Sequence, residues 1–311
     1  MLIKILGSAA GGGFPQWNCC CSNCRGLREG ILRAKPRTQT QIAFSPAPGD
    51  WFFVGASPDL RIQIVANPEL WPSLDNSGTS PITGVFLTSA EVDSVMGLLH
   101  LREFQTFSVF ATATVRSIAR DQNSLLRVLD RADPPVQWRE LSIDQPTAFY
   151  PPGNLQNPGA FLYTAVSLGG NYPDYAVQDF HSNASAKDAN VGLIIEHDGK
   201  KIFIAPSLPG DNGVWFRHAA SADIALLDGT FWSDRELLRT GRTLRTARAM
   251  GHLPLSGREG LLARYPANAR GRKVLIHMNN TNPILDENSD EHKAVMEAGF
   301  ELAYDGLTIE L

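Results

Sequence analysis

The chain has 311 residues, 43% of them hydrophobic and 19% charged, with 28 basic and 32 acidic side chains for a net charge of −4. That is enough apolar material for a thick, layered core. It excludes a disordered chain, and the lack of basic excess excludes a binder of phosphate backbones or anionic membranes. The 27 glycines and 20 prolines punctuate many turns, which suits a strand-rich fold better than a helical bundle.

Residues 1–7, Met-Leu-Ile-Lys-Ile-Leu-Gly, read as a first β-strand. Their apolar part is too short for a secretory core, and no run approaches the ~20 residues that cross a bilayer, so a cytoplasmic location is expected. Three glycines follow in Gly11-Gly12-Gly13-Phe14-Pro15-Gln16-Trp17-Asn18, without the spacing of a phosphate-binding loop. Further strands are predicted at 41–44, 51–54, 85–88, 107–110 and 161–166. Others fall at 191–195, 201–205, 224–227, 273–277 and 308–311; several are continuous apolar runs, as in strands buried on both faces. Helices are predicted over 91–102, with Ser89 placed to cap it, and over 117–131, 233–240, 258–264 and 290–298. Residues 145–159 read as a connection and 171–190 as a long surface loop lying over a site. With no linker between the halves, the expectation is a single α/β domain spanning 1–311, two sheets covered by helices.

All four cysteines fall within six positions, Cys19-Cys20-Cys21-Ser22-Asn23-Cys24. Disulfide frameworks scatter their cysteines, so this crowding points to a metal, with free or redox-active thiols as the alternative. Cys19, Cys21 and Cys24 can converge on one tetrahedral zinc, while Cys20 points away from it. The set needs a fourth ligand, for which His277 is the first candidate and His252 the second.

Residues 87–98 have the frame of the metallo-β-lactamase superfamily motif, a strand ending in Leu-Thr before H-x-H-x-D-H-x-x-G-L. Ser89, Glu91 and Ser94 stand where its histidines would be, and Asp93 and Gly97 match. A di-zinc hydrolase needs those imidazoles and is not expected here. Asp228 ends a buried strand, His252 follows Gly251, and His277 ends another strand ahead of the amide cluster Asn279-Asn280-Thr281-Asn282. His181, in the long loop, is a candidate substrate contact; His100, His197, His218 and His292 carry no functional reading.

Taken together, residues 6–19, 56–61, 97–103, 228–230, 250–253 and 277–289 resemble the PqqB family, coenzyme PQQ synthesis protein B. The resemblance runs nearly end to end. It implies a metallo-β-lactamase-like αββα sandwich of two mixed β-sheets flanked by helices, and a structural zinc on the cysteine loop. It implies a cytoplasmic role in maturing pyrroloquinoline quinone (PQQ) from a Glu/Tyr-bearing peptide, alongside other PQQ biosynthesis proteins. Two roles are compatible with it: an Fe(II)-dependent oxygenase hydroxylating a tyrosine-derived precursor, and a non-catalytic carrier of PQQ or that precursor toward transport. In the first, Asp93, Asp228 and His252, with His277 if it is not committed to zinc, hold the iron. In the second, the amides of Asn279, Asn280 and Asn282 bind the ligand, with PQQ the candidate. The family usually carries Asp-His where this chain has Asp93-Ser94. Asp59 and Arg102 are further polar candidates near the site, and the oligomeric state is open, a homodimer being one candidate.

Overall fold

The computed structural model describes the whole chain except residues 75–77, 104, 132, 134, 151–159, 177–185, 211–212, 242 and 270. His181 and part of each of the two predicted loop regions lie outside the described residues.

Two seven-stranded mixed sheets stack face to face, with helices on the outer faces. The first sheet contains β1 (Leu2–Gly7), β2 (Gln41–Ser45), β3 (Trp51–Val54), β4 (Ile82–Phe86), β5 (Ser108–Ala111), β6 (Gln137–Glu140) and β14 (Thr308–Glu310), in the order β14-β1-β2-β3-β4-β5-β6. The second contains β7 (Thr147–Phe149), β8 (Phe161–Ser167), β9 (Val191–His197), β10 (Lys200–Ala205), β11 (Ile224–Asp228), β12 (Arg272–Ile276) and β13 (Glu301–Leu302), in the order β13-β12-β11-β10-β9-β8-β7. Each is parallel on one side and antiparallel on the other: β3 to β6 and β10 to β13 are the parallel runs. This is the metallo-β-lactamase architecture expected from the sequence.

The continuous apolar runs follow from burial on both faces. Ile3, Phe44, Phe52, Phe86 and Phe110 of the first sheet meet Phe161, Ile195, Ile204, Leu226 and Val274 of the second in the central core. Phe86 and Phe110 stack at 4.2 Å between ring centroids, and Phe161 meets Phe44 edge-on at 5.4 Å. Truncating one such ring costs about 3–5 kcal/mol. The opposite strand faces bury Val85, Val109 and Leu98 on one side, and Leu227, Trp215 and Cys24 on the other.

Helices are shorter than the periodicity predicts. Over 91–102 the chain makes one turn of α-helix, α3 (Val92–Val95), and then a 3₁₀ segment. The reason is Gly97, whose N–H donates to Ala56 O at 2.8 Å and which is pressed onto the Ala56–Ser57 backbone. Ser89 does not cap this helix; Glu91 is its first flanking residue, and Ser89 Oγ lies 3.4 Å from Ser94 Oγ. The helix predicted at 117–131 starts earlier, as α4 (Ala113–Arg116) capped by Thr112, and continues as a π turn and a separate 3₁₀ segment. Of 233–240 only Leu237–Thr240 is helical. Three helices escaped prediction: α1 (Ser22–Arg28), α2 (Leu60–Val65) and α5 (Val214–Ser221). The first is hidden in sequence by Cys, Gly and Asn. Among the described residues no helix is long and apolar enough to cross a membrane.

Candidate metal centres

Parallel strands deliver their C-terminal ends to one edge of the sandwich, and the loops leaving them carry the polar chemistry. Asp93 follows β4, Asp228 ends β11 and His277 follows β12, while His252 enters from the loop after Gly251. Residues far apart in the chain therefore meet by topology.

Asp228 is fully buried and every oxygen is engaged. Oδ1 accepts from Thr230 Oγ1 (2.6 Å) and Thr230 N (3.0 Å), and Oδ2 accepts from Leu208 N (2.8 Å) and faces His252 Nδ1 (2.9 Å). Thr230 Oγ1 also lies 2.8 Å from His277 Nδ1 and 3.1 Å from His252 Nδ1, and 2.9 Å from the His277 carbonyl. The two rings stack at 5.3 Å, and His277 Nε2 faces Asp93 Oδ2 at 3.0 Å. Ligand atoms of Asp228, His252 and His277 all fall within 4.8 Å of one another. His277 reaches this position with φ of +58°, a left-handed backbone that costs a residue with a Cβ roughly 1 kcal/mol.

Burial would raise Asp228, but His252 and His277 outweigh it and hold the carboxyl below its ordinary value. Asp93 behaves alike, burial being overcome by its bond to His277. Burial disfavours the His277 cation, yet Asp93, with Asp228 and Glu91, raises it. Glu91 is raised by burial and by the charges of Asp93 and Asp174. Three carboxylates around two imidazoles make a cluster that suits a cation.

A cavity of about 460 Å³ opens over this cluster. Ser89, Ser94 and Asn190 give it neutral walls, Tyr172, Tyr175, Pro206 and Met250 give it apolar ones, and among the described residues Arg245 is the one arginine lining it. Arg245 pairs with Asp174 at 2.8 Å, and the Tyr175 hydroxyl donates to Ala90 O. Of these, Asn190, Tyr172, Tyr175 and Arg245 carry no motif by which sequence alone could mark them. Thr230 lay inside the Asp-Gly-Thr segment, without a signal for its bridging role.

The second centre is the cysteine loop. Ligand atoms of Cys19, Cys21 and Cys24 lie within 4.8 Å of one another, and Cys20 is exposed. Each sulfur receives one backbone N–H: Cys21 N to Cys19 (3.4 Å), Cys24 N to Cys21 (3.5 Å) and Gln16 N to Cys24 (3.4 Å). Burial pushes the Cys24 thiol up to about 11, and a bound cation would favour its thiolate.

His277 is not the fourth partner of these sulfurs. It turns to Asp93 and the Asp228 cluster, and His252 goes with it. The amide cluster does not line the cavity over Asp93; Asn279 and Asn280 line a separate cavity of about 600 Å³ beside the cysteines. Asn282 is fully buried, donating to Gly229 O (2.9 Å) and Thr230 O (3.2 Å) while its Oδ1 accepts from Ile284 N. Asn280 covers the cysteines, and Asn279 donates to Thr281. Asp59 accepts from Gln39, and Arg102 reaches Leu99 O and Glu103, both away from the cavity.

Residues 50–278 match the family model described as the beta-lactamase superfamily domain. Coenzyme PQQ synthesis protein B of Pseudomonas protegens is 39% identical over 313 residues, covering 100% of both chains. That of Klebsiella pneumoniae is 38% identical, covering 100% of this chain and 98% of the other. The crystal structure of Zn(2+)-bound PqqB from Methylobacterium extorquens superposes with a TM-score of 0.87 at 37% identity, over the full length of both chains. A diphosphatase of the PhnP family shares the fold at a TM-score of 0.65 and 15% identity, covering 100% of this chain and 97% of that one.

Proposed function

The chain belongs to the coenzyme PQQ synthesis protein B family of the beta-lactamase superfamily, and we propose that it serves PQQ biosynthesis as an Fe(II)-dependent oxygenase hydroxylating the tyrosine ring of a peptide-derived precursor. One observation carries this reading: Asp93, Asp228, His252 and His277 converge beneath an open cavity. Imidazoles with carboxylates form a donor set of the kind that suits Fe(II), whereas the three thiolates of the other centre suit zinc. Iron held by those four residues would supply oxygen activation next to the substrate ring.

The chain's own residues do the rest. Asp228 is fixed by Leu208 N and Thr230, which holds its Oδ2 against His252 Nδ1. Thr230 sets the rotation of both rings through their Nδ1 atoms, and His277 Nε2 is left facing Asp93. Arg245 supplies the cation for a substrate carboxylate, and Tyr172 and Met250 offer flat, apolar contact to an aromatic ring. Within this reading the protein is cytoplasmic, works with the other proteins of the pathway, and keeps a structural zinc on Cys19, Cys21 and Cys24.

The neutral lining of Ser89, Ser94 and Asn190 favours a second reading, a binding protein that holds PQQ or its precursor without turnover. Anaerobic loading with Fe(II), metal analysis, and oxygen uptake with a Glu-Tyr peptide separate the two. Iron near one per chain together with uptake supports the oxygenase. PQQ binding with neither iron nor uptake replaces it with the carrier.

A further inference from the structure

A further cavity, of about 440 Å³, opens at the opposite edge of the sandwich, where the parallel strands β4, β5 and β6 begin. Asp50 and Arg139 both line it, yet neither has an ion-pair partner among the described residues. Asp50 is half-buried. Its Oδ1 accepts from Thr83 Oγ1 at 3.0 Å, its Oδ2 has no partner among the described residues, and burial raises its carboxyl against that one bond. Arg139 is anchored by Nε to Ser108 Oγ at 3.0 Å and by Nη2 to Gln137 Oε1 at 3.1 Å, with its guanidinium carbon 5.6 Å from the centre of the Phe149 ring. Three of its five N–H donors remain, both of those on Nη1 among them.

A carboxylate partly withdrawn from water ordinarily has a cation beside it. Here the described protein supplies none, and the same cavity holds an anchored guanidinium with no anion. The walls are built without a ligand. Gln105 Oε1 accepts from Ser80 N (3.1 Å), and its Nε2 donates to Ser80 O (2.9 Å) and Ile82 O (3.1 Å), which ties the segment before β4 to the one before β5. From the second sheet, Tyr150, 68% exposed, stands next to buried Phe149 and adds an aromatic wall.

We propose that this cavity binds a small aromatic zwitterion, an amino acid or dipeptide whose ammonium pairs with Asp50, whose carboxylate takes the remaining donors of Arg139, and whose ring lies against Phe149 and Tyr150. One ligand thereby neutralises two charges that the fold leaves apart, and a guanidinium fork held by two side chains selects a planar carboxylate. The site is separate from the metal cluster: Asp93, Asp228, His252 and His277 gather where the parallel strands end, and none of them lines this cavity.

Isothermal titration of the full-length protein with L-phenylalanine and glycyl-L-phenylalanine tests this without any activity assay. The N-acetylated and C-amidated forms of each compound remove one charge at a time. At least one of the two zwitterions is expected to bind, and blocking either charge is expected to weaken it about tenfold or more. In Asp50→Asn the acetylated and free compounds should bind alike, and in Arg139→Gln the amide and the acid should bind alike. Asp93→Asn should bind as wild type, which separates this cavity from the one over the metal cluster. Failure of both zwitterions to bind wild-type protein overturns the proposal, as does loss of binding in Asp93→Asn or undiminished binding in both Asp50→Asn and Arg139→Gln. Should those two variants fail to fold, the blocked compounds on wild-type protein still decide, equal affinity for blocked and free forms being the overturning result.

Discussion

Asp93 and His277, separated by 184 positions in sequence, face each other at 3.0 Å between Oδ2 and Nε2. One comes from the first sheet and the other from the second, so their contact closes the sandwich edge over the candidate iron site. Each perturbs the other: the pair lowers the Asp93 carboxyl against burial and raises the His277 ring. Asp93→Asn and His277→Ala are each expected to weaken Fe(II) binding by tenfold or more while leaving one zinc per chain on the cysteines. Metal analysis after Fe(II) titration reads both sites, and iron retained at wild-type affinity in both variants would remove these residues from the site.

Thr230→Val keeps the shape of the side chain and removes the hydroxyl that joins Asp228 to both histidines. The buried Asp228 oxygen loses its 2.6 Å donor, a loss of about 1–3 kcal/mol in stability. Second-site metal affinity should fall about 10–100-fold as the rings lose their orientation. Urea unfolding and an Fe(II) titration measure the two effects; wild-type values in both would show that Thr230 merely fills space.

Gly97→Ala is expected to be costly, because its Cβ would meet Ser57 O at 2.2 Å and Ala56 C at 2.7 Å, both backbone. A loss of about 1–3 kcal/mol is expected, together with weaker second-site metal binding, since Gly97 anchors the segment that carries Asp93. Gly210→Ala is the control: none of the described residues lies within 4 Å of its would-be Cβ, and about ±0.5 kcal/mol is expected. Equal stability of the two variants in thermal or urea unfolding contradicts the docking argument.

Glu236 gives a pH dependence. Burial raises its carboxyl from 4.5 to about 7, against the opposing bonds from Thr281 Oγ1 (2.5 Å) and Trp232 N (2.7 Å). The folded state therefore holds this proton more tightly than the unfolded chain. The contribution is fully present below about pH 4.5 and is lost as pH rises to about 7, reaching about 3 kcal/mol. Glu236→Gln does not titrate, so its stability relative to wild type should improve between pH 4.5 and 8. A variant-to-wild-type difference that stays constant from pH 5 to pH 8 would show that Glu236 keeps its ordinary titration.

Ser94→His places an imidazole next to Asp93 at the cavity wall. Tighter Fe(II) binding is expected, with oxygen uptake at least equal to wild type. Unchanged affinity would mean that the side chain at 94 lies outside the reach of the ion.

Much of the fold was legible because its signals are local. The runs at 51–54, 191–195, 201–205 and 224–227 form strands within two residues of the expected bounds, since burial on both faces demands continuous apolar sequence. Helices were read less well. Apolar spacing over 91–102 could not report that Gly97 docks on Ala56, a contact between distant segments that ends the α-helix after one turn. α1 escaped because its sequence, SNCRGLR, lacks an apolar stripe and is held through Asn23 and Cys24.

The sequence alone determined the things that depend on near neighbours. Cys19, Cys21 and Cys24 had to share a small volume, and Asp228 and His277 had to sit at strand ends. It could not divide the late segment between two centres. His277 and Asn280 are three residues apart, yet the left-handed turn at His277, with φ of +58°, sends the imidazole to Asp93 and the amide to the cysteines. Only the packing of one sheet on the other, which fixes where each strand end lands, decides such an allotment; spacing along a chain carries no information about it.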